Sequence, residues 1–149
     1  MSDYDPPEAF KEINRKARKP HRCFECNGTI PKGETYSYVS GVWDHQGCSF
    51  KICTDCAKIR EDLLAHGNIE DWEYGDLIQE VSERIDEPEI CAHELAMRFF
   101  ENTLRRGATI HKSWLYHHWI WHPDAKKYPL LAAFLKTAKT DETIPRPFI

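Results

Sequence analysis

Two Cys-x-x-Cys pairs, Cys23/Cys26 and Cys53/Cys56, constrain this chain more than any other feature. A Cys-x-x-Cys turn brings two sulfurs to one point, and its backbone N–H groups can stabilise thiolate charge. A second pair far away in sequence closes a tetrahedron, the arrangement zinc prefers with soft ligands, and ties two segments together. The 26 residues between Cys26 and Cys53 leave room for a β-hairpin. A redox dithiol of the thioredoxin kind needs one Cys-x-x-Cys after a strand in an α/β fold, and the chain offers neither. The expectation is one structural zinc ion in a four-cysteine site.

The rest of the composition agrees. A hydrophobic fraction of 41 % and a charged fraction of 30 % over 149 residues describe a globular chain. No apolar run approaches the roughly 20 residues needed to cross a bilayer. The opening Met-Ser-Asp-Tyr-Asp lacks the basic and apolar regions of a signal peptide. A cytoplasmic address follows as an expectation, and in a reducing compartment clustered cysteines point to metal rather than to disulfides. Cys91, alone among apolar neighbours, reads as a free buried thiol.

Local patterns divide the chain in two. Asp5-Pro6-Pro7 reads as a helix entry, with Phe10, Ile13 and Ala17 at helical spacing and Pro20 ending the helix. Thr35 to Ser40 reads as a strand, Trp43 to Gly47 as a turn and Ser49 to Ile52 as the returning strand. Thr54 is placed to cap a helix that carries Cys56, Ile59, Leu63 and Leu64 and stops at Gly67-Asn68. Knuckle, hairpin and a second pair at a helix N-terminus are the order of a treble clef, and the helix dipole there favours the anionic sulfur of Cys56. Beyond it, helices are predicted over Asp76–Ile85, Glu89–Arg106, Ile110–His122 and Pro129–Lys139, with a loose tail from Thr143. The predicted architecture is α+β: a treble-clef-like zinc module over 1–68, including the N-terminal helix, and a mainly helical region over 69–149.

His45-Gln46-Gly47-Cys48 inserts a His-x-x-Cys between the pairs. Cys23, Cys26, His45 and Cys48 would also make a site of three cysteines and one histidine, but Cys53/Cys56 would then lack a partner pair. The single four-cysteine site is the simpler reading. Ala17 to Cys26, then Ile30-Pro31-x-Gly33-Glu34-x-Tyr36, Val39-Ser40-Gly41-x-Trp43-Asp44 and Cys53-x-x-Cys56, resemble small hypothetical proteins common in phages and prophages. Their treble-clef or zinc-ribbon segment shows the same order of motifs, over about residues 15–80 here. The resemblance implies a four-cysteine ligand set and carries no catalytic residue across.

Three patterns touch on catalysis. His93-Glu94-Leu95-Ala96-Met97 misses the His-Glu-x-x-His of zinc proteases by its last residue; His93, Met97, Phe100 and Leu104 read instead as a core stripe. On a helix, His111, His118 and His122 would share one face and could hold a second metal, although Trp114, Trp119 and Trp121 crowd the same segment. Asp44-His45 is reminiscent of HNH nucleases, but no downstream Asn and His follow at the required spacing. A non-catalytic binding protein is the stronger expectation.

Partners are read from charge and aromatics. The net charge of −4 is uneven: residues 1–60 carry ten Lys/Arg against eight Asp/Glu, residues 61–100 two against twelve, and residues 101–149 eight against four. Arg15, Lys16, Arg18, Lys19 and Arg22 could contact phosphates, with Phe24, Tyr36, Tyr38 and Trp43 stacking on bases. Trp114, Tyr116, Trp119 and Trp121 are more aromatic surface than one helix side can hide, which suggests a protein partner or self-association. An acidic stretch from Glu70 to Glu89 would face a basic partner. Protein contact in an accessory or regulatory role is the leading expectation, nucleic acid the alternative, and no membrane partner is expected.

Overall fold

A computed structural model describes residues 9–66, 74–87 and 91–140 of the chain. It is a mixed α+β fold. Strands β1 (Ala9–Lys16), β4 (Thr35–Trp43) and β5 (Gln46–Cys53) form an antiparallel sheet in the order β1-β4-β5, and two short strands, β2 (His21–Arg22) and β3 (Thr29–Ile30), pair beside it. Helices α1 (Thr54–Leu64), α2 (Leu77–Glu83), α3 (Ala92–Arg105) and α4 (Pro129–Ala138) follow.

The hairpin forms where its composition places it. Tyr36, Val39 and Ile52 are β-branched or aromatic, and Trp43 opposite Gln46 leaves Asp44 and His45 as a two-residue turn. Both have positive φ, 51° and 62°, the conformation a twisted hairpin requires at both central positions. The helical expectation for the N-terminal segment is corrected: Ala9–Lys16 is an edge strand, registered from Ala9 opposite Val42 to Lys16 opposite Thr35. Seven of its eight residues are exposed, so the apolar spacing of Phe10, Ile13 and Ala17 had no buried helix face to report. The proposed entry at Asp5-Pro6-Pro7, the stop at Gly67-Asn68 and the tail from Thr143 lie outside the described residues.

Alternation along β4 divides the sheet into two faces. Ser37 and Val39, with Ile52 of β5, turn toward α1 and are buried. Tyr38, with Arg15 of β1 and Lys51 of β5 at neighbouring register positions, lies on the opposite face.

Helix α3 is the hub, packing against α1, α2 and α4. Ala92, Leu95, Ala96, Phe99, Phe100 and Thr103 recur at three- and four-residue spacing and are all buried. Arg106 and Gly107 end the helix, Gly107 with φ of 79°. Met97 and Phe100 are fully buried, as the core stripe predicted. Ile59 and Leu63 of α1, Leu77 and Val81 of α2 and Leu131 of α4 join the same cluster of buried side chains as the four cysteines.

The predicted helix over Ile110–His122 is corrected. Tight 3-10 turns cover Lys112–Tyr116, His118–Trp121 and Pro123–Lys127. His111 accepts the Ser113 N–H at 3.2 Å, and His117 is extended (φ −84°, ψ 121°), so an α-helix is interrupted at both places. Cys91 is corrected too: it is exposed, with φ of 53°, at the entry of α3.

Candidate metal centre

The knuckle bearing the first pair is a turn closed on itself. Cys23 N–H donates to the Gly28 carbonyl at 2.8 Å and Asn27 N–H to the Cys23 carbonyl at 2.9 Å, with Asn27 left-handed at φ 61°. Gly28 is required by space. A Cβ there would overlap the Cβ of Arg106 and stand 3.2 Å from the Cys26 sulfur. The second pair straddles the junction of β5 and α1. Cys53 is the N-cap residue of α1, its sulfur accepting the Cys56 N–H at 3.4 Å. Thr54, the cap expected from sequence, instead donates its hydroxyl to the Thr35 carbonyl at 2.7 Å.

Cys23, Cys26, Cys53 and Cys56 are all buried, and their four sulfurs lie within 4.8 Å of one another. The Cys26 and Cys53 sulfurs are 4.0 Å apart. That is about twice a disulfide bond length. It matches the edge of about 3.8 Å that a tetrahedron with metal–sulfur bonds of about 2.3 Å would have. The four residues can therefore hold a tetrahedral thiophilic cation.

Every sulfur faces an N–H donor. Gly28 N–H donates to Cys26 at 3.4 Å and Cys53 N–H to Cys23 at 3.3 Å. The side-chain amide of Asn102, from the last turn of α3, points its NH2 group at Cys53 (3.3 Å), Cys56 (3.6 Å) and Cys26 (3.8 Å). Its carbonyl oxygen accepts from Arg105 and Arg106, each at 2.9 Å, which fixes the amide with nitrogen toward sulfur. Arg106 continues outward to Glu34, to Asp55 at 2.8 Å and to the Thr29 carbonyl at 3.1 Å. Burial opposes the Arg106 charge, but the bonds to Glu34 and Asp55 outweigh it and hold the group firmly cationic.

Charge shows why this cluster calls for a cation. Among the bare thiols, Cys53 is pushed down because Cys23, then Cys26 and Cys56, donate to it. Cys26 and Cys56 are pushed up, each by hydrogen bonding to Cys23 first, with Cys53 acting in the same direction. Four buried sulfurs within 4.8 Å of one another cannot all ionise without a counter-charge, which one divalent ion would supply.

Glu25, inside the knuckle, is buried beside this centre. Its carboxylate accepts the Gly75 N–H at 2.8 Å and the Leu77 N–H at 3.2 Å and lies 3.5 Å from Arg60. Burial raises its pKa to about 7 against the opposing pull of the Leu77 N–H, Arg60 and the Gly75 N–H. The knuckle is thereby tied to the N-terminus of α2.

The other sequence candidates separate. His45 occupies the hairpin turn and Cys48 is exposed on β5; neither joins a ligand cluster among the described residues. With its helix replaced by 3-10 turns, the predicted face of His111, His118 and His122 is lost as a ligand set. His111 bonds to Ser113 at 2.7 Å, and His122 meets His93 and Asp124 instead. Trp119 is buried, Trp114 and Trp121 are half-buried, and Tyr116 alone of the four aromatics is exposed.

The basic segment gathers into a surface. Arg15, Lys16, Arg18 and Lys19 line an open groove of about 1020 Å³ together with His21, Tyr36, Tyr38 and Lys51. Arg22 is not among its lining residues. The Arg15 guanidinium sits 3.8 Å over the Tyr38 ring, and the His21 and Tyr36 rings are 5.3 Å apart. Among the described residues, Arg15, Lys16, Arg18, Lys19 and Lys51 make no ion pair with a carboxylate. The field registers on His21, whose pKa is lowered by partial desolvation and then by Lys51 and Lys19. Phe24 and Trp43 are elsewhere, both packed on Phe50.

Sequence reasoning missed Asn102 and Lys51. A buried Asn in the last turn of an otherwise apolar helical face was the available signal for the first. Lys51 needed the register of β5 against β4.

No family model, curated protein or solved structure matches the chain. Among the described residues, no helix is long and apolar enough to cross a membrane.

Proposed function

We propose that this chain is a non-catalytic binding protein whose N-terminal half is a treble-clef-like module stabilised by one zinc ion, and that it engages single-stranded nucleic acid in an accessory or regulatory role. The buried cluster of four cysteines supports the zinc: a small sheet with a largely exposed edge strand gains a cross-link between its knuckle and α1. The order of knuckle, hairpin and helix supports the treble clef.

The observation that carries the partner is the cationic groove. Five Lys/Arg side chains converge around two tyrosines with no carboxylate in the lining, on a chain whose net charge is −4. Phosphates supply the missing counter-charge, and Arg15 on Tyr38 offers a flat cationic surface to a base. Protein contact through Trp114, Tyr116, Trp119 and Trp121 has less support, because Trp114 and Trp119 pack on Phe100 and each other, and Trp121 packs on the core and donates its indole N–H to the Leu115 carbonyl.

Fluorescence anisotropy with a short labelled single strand tests this reading. Five phosphate contacts predict a slope of log K against log salt of about −3.5. Arg18→Glu with Lys19→Glu should weaken binding by more than about tenfold at low salt while zinc content is unchanged. Absence of binding at low salt, or an affinity indifferent to salt and to these changes, would refute the nucleic-acid reading.

A further inference from the structure

We propose that His93, His122 and Asp124 form a second cation site, separate from the cysteine cluster, that takes a borderline divalent metal such as zinc, cobalt(II) or nickel(II). One ring nitrogen from each histidine and one Asp124 oxygen lie within 4.8 Å of one another. The two imidazole rings are 4.5 Å apart at 65°. His93 stands in the first turn of α3, whereas His122 and Asp124 bracket Pro123 at the start of a 3-10 turn. A cation here would therefore link α3 to the segment that follows the tryptophan-rich turns.

The hydrogen bonds around the two histidines define which ring nitrogen of each carries a lone pair. His93 Nε2 is 2.9 Å from the Trp119 carbonyl oxygen. A carbonyl only accepts, so in the neutral ring Nε2 carries the proton and Nδ1 keeps its lone pair. This is the outer contact that commonly fixes a metal-binding imidazole. His122 Nδ1 accepts the Asp124 backbone N–H at 3.0 Å, which places a lone pair on Nδ1. The Asp124 carboxylate oxygen Oδ2 is 3.7 Å from that nitrogen, while Lys127 pairs with the other oxygen at 3.5 Å. A cation reaching His122 exchanges the Asp124 N–H contact for a coordinate bond.

Two imidazoles and a carboxylate suit a borderline metal better than calcium or magnesium, which prefer all-oxygen ligands. His122 and Asp124 are about half-exposed, so the site opens to solvent and three protein ligands leave coordination positions for water or a partner's side chain. Its affinity belongs well below that of four buried thiolates.

Cobalt(II) titration of the metal-free full chain separates the two centres. The first equivalent should give the thiolate-to-metal charge-transfer band of a four-cysteine site. A second, weaker equivalent should add only ligand-field absorption. His93→Ala, His122→Ala and Asp124→Asn should each weaken the second equivalent by at least about tenfold and leave the charge-transfer band intact. Asp124→Asn, which preserves shape and the turn backbone, should keep the wild-type circular dichroism. Saturation at one equivalent, or a second equivalent indifferent to all three substitutions, would overturn the proposal. Loss of the charge-transfer band in the wild type would instead strike the cysteine site.

Discussion

Replacing Asn102 by aspartate exchanges one NH2 group for an oxygen at constant shape. The acceptor used by Arg105 and Arg106 survives, so the helix end stays anchored. The donors to Cys53, Cys56 and Cys26 do not. Two amide hydrogens shared among three thiolates, at about 1.5 kcal/mol each for a charged acceptor, amount to about 3 kcal/mol. The new carboxylate also faces a zinc tetrathiolate of net charge −2, a repulsion that Arg105 and Arg106 offset only in part. Because a factor of ten in affinity is about 1.4 kcal/mol, Asn102→Asp should weaken zinc binding about 100-fold or more. Competition against a chromophoric chelator reads that constant, with far-ultraviolet circular dichroism confirming that the loaded variant is folded. An affinity within about threefold of the wild type would show that the α3 amide does not support the metal centre, and the reasoning would be wrong.

Two further outcomes follow from neighbouring residues. Glu25, raised by burial to about 7 from 4.5, is more stable as the acid in the folded state. Its contribution is complete below about pH 4.5 and is lost as pH rises through 7, a change of about 3 kcal/mol. The stability of the wild type relative to Glu25→Gln should fall over that window, and a carbon-13 titration of the side chain should show a midpoint near 7; a midpoint near 4.5 would contradict the burial argument. Gly28→Ala should cost about 1–3 kcal/mol in urea unfolding, because its methyl group meets the Arg106 Cβ and the Cys26 sulfur in a closed turn. An unchanged midpoint would mean that the knuckle and α3 are not in contact.

The cysteine cluster and the hairpin were legible because their signals are local. Two Cys-x-x-Cys turns name their own ligands, and Thr35–Trp43 carries the residues of a half-buried strand. Helix α3 was legible because its apolar spacing reflects a face that is truly buried. The edge strand β1 was not, since Phe10, its main apolar residue, meets Trp43 edge-on and lies 49 % exposed. Periodicity reports burial, and a strand with little of it reports nothing. The turns from Lys112 to Lys127 failed for a different reason. His111 and His122 each spend a ring nitrogen on the backbone N–H two residues on, a local competition with helix that composition does not reveal. The same event moved His122 away from His111 and His118 and toward His93. The groove lay between: its cations were visible in the sequence, but their convergence with Lys51 and Tyr38 depended on strand register.

Metal content reads the cysteine centre without an intermediary. Native mass spectrometry of the full chain, after dialysis against a chelator of moderate strength, should find one zinc ion per chain. The ion should be lost in Cys53→Ser, with loss of folded structure, and kept in Cys48→Ser and in His45→Ala. A chain that stays folded with no zinc, or one whose zinc survives Cys53→Ser, would contradict a four-cysteine zinc centre.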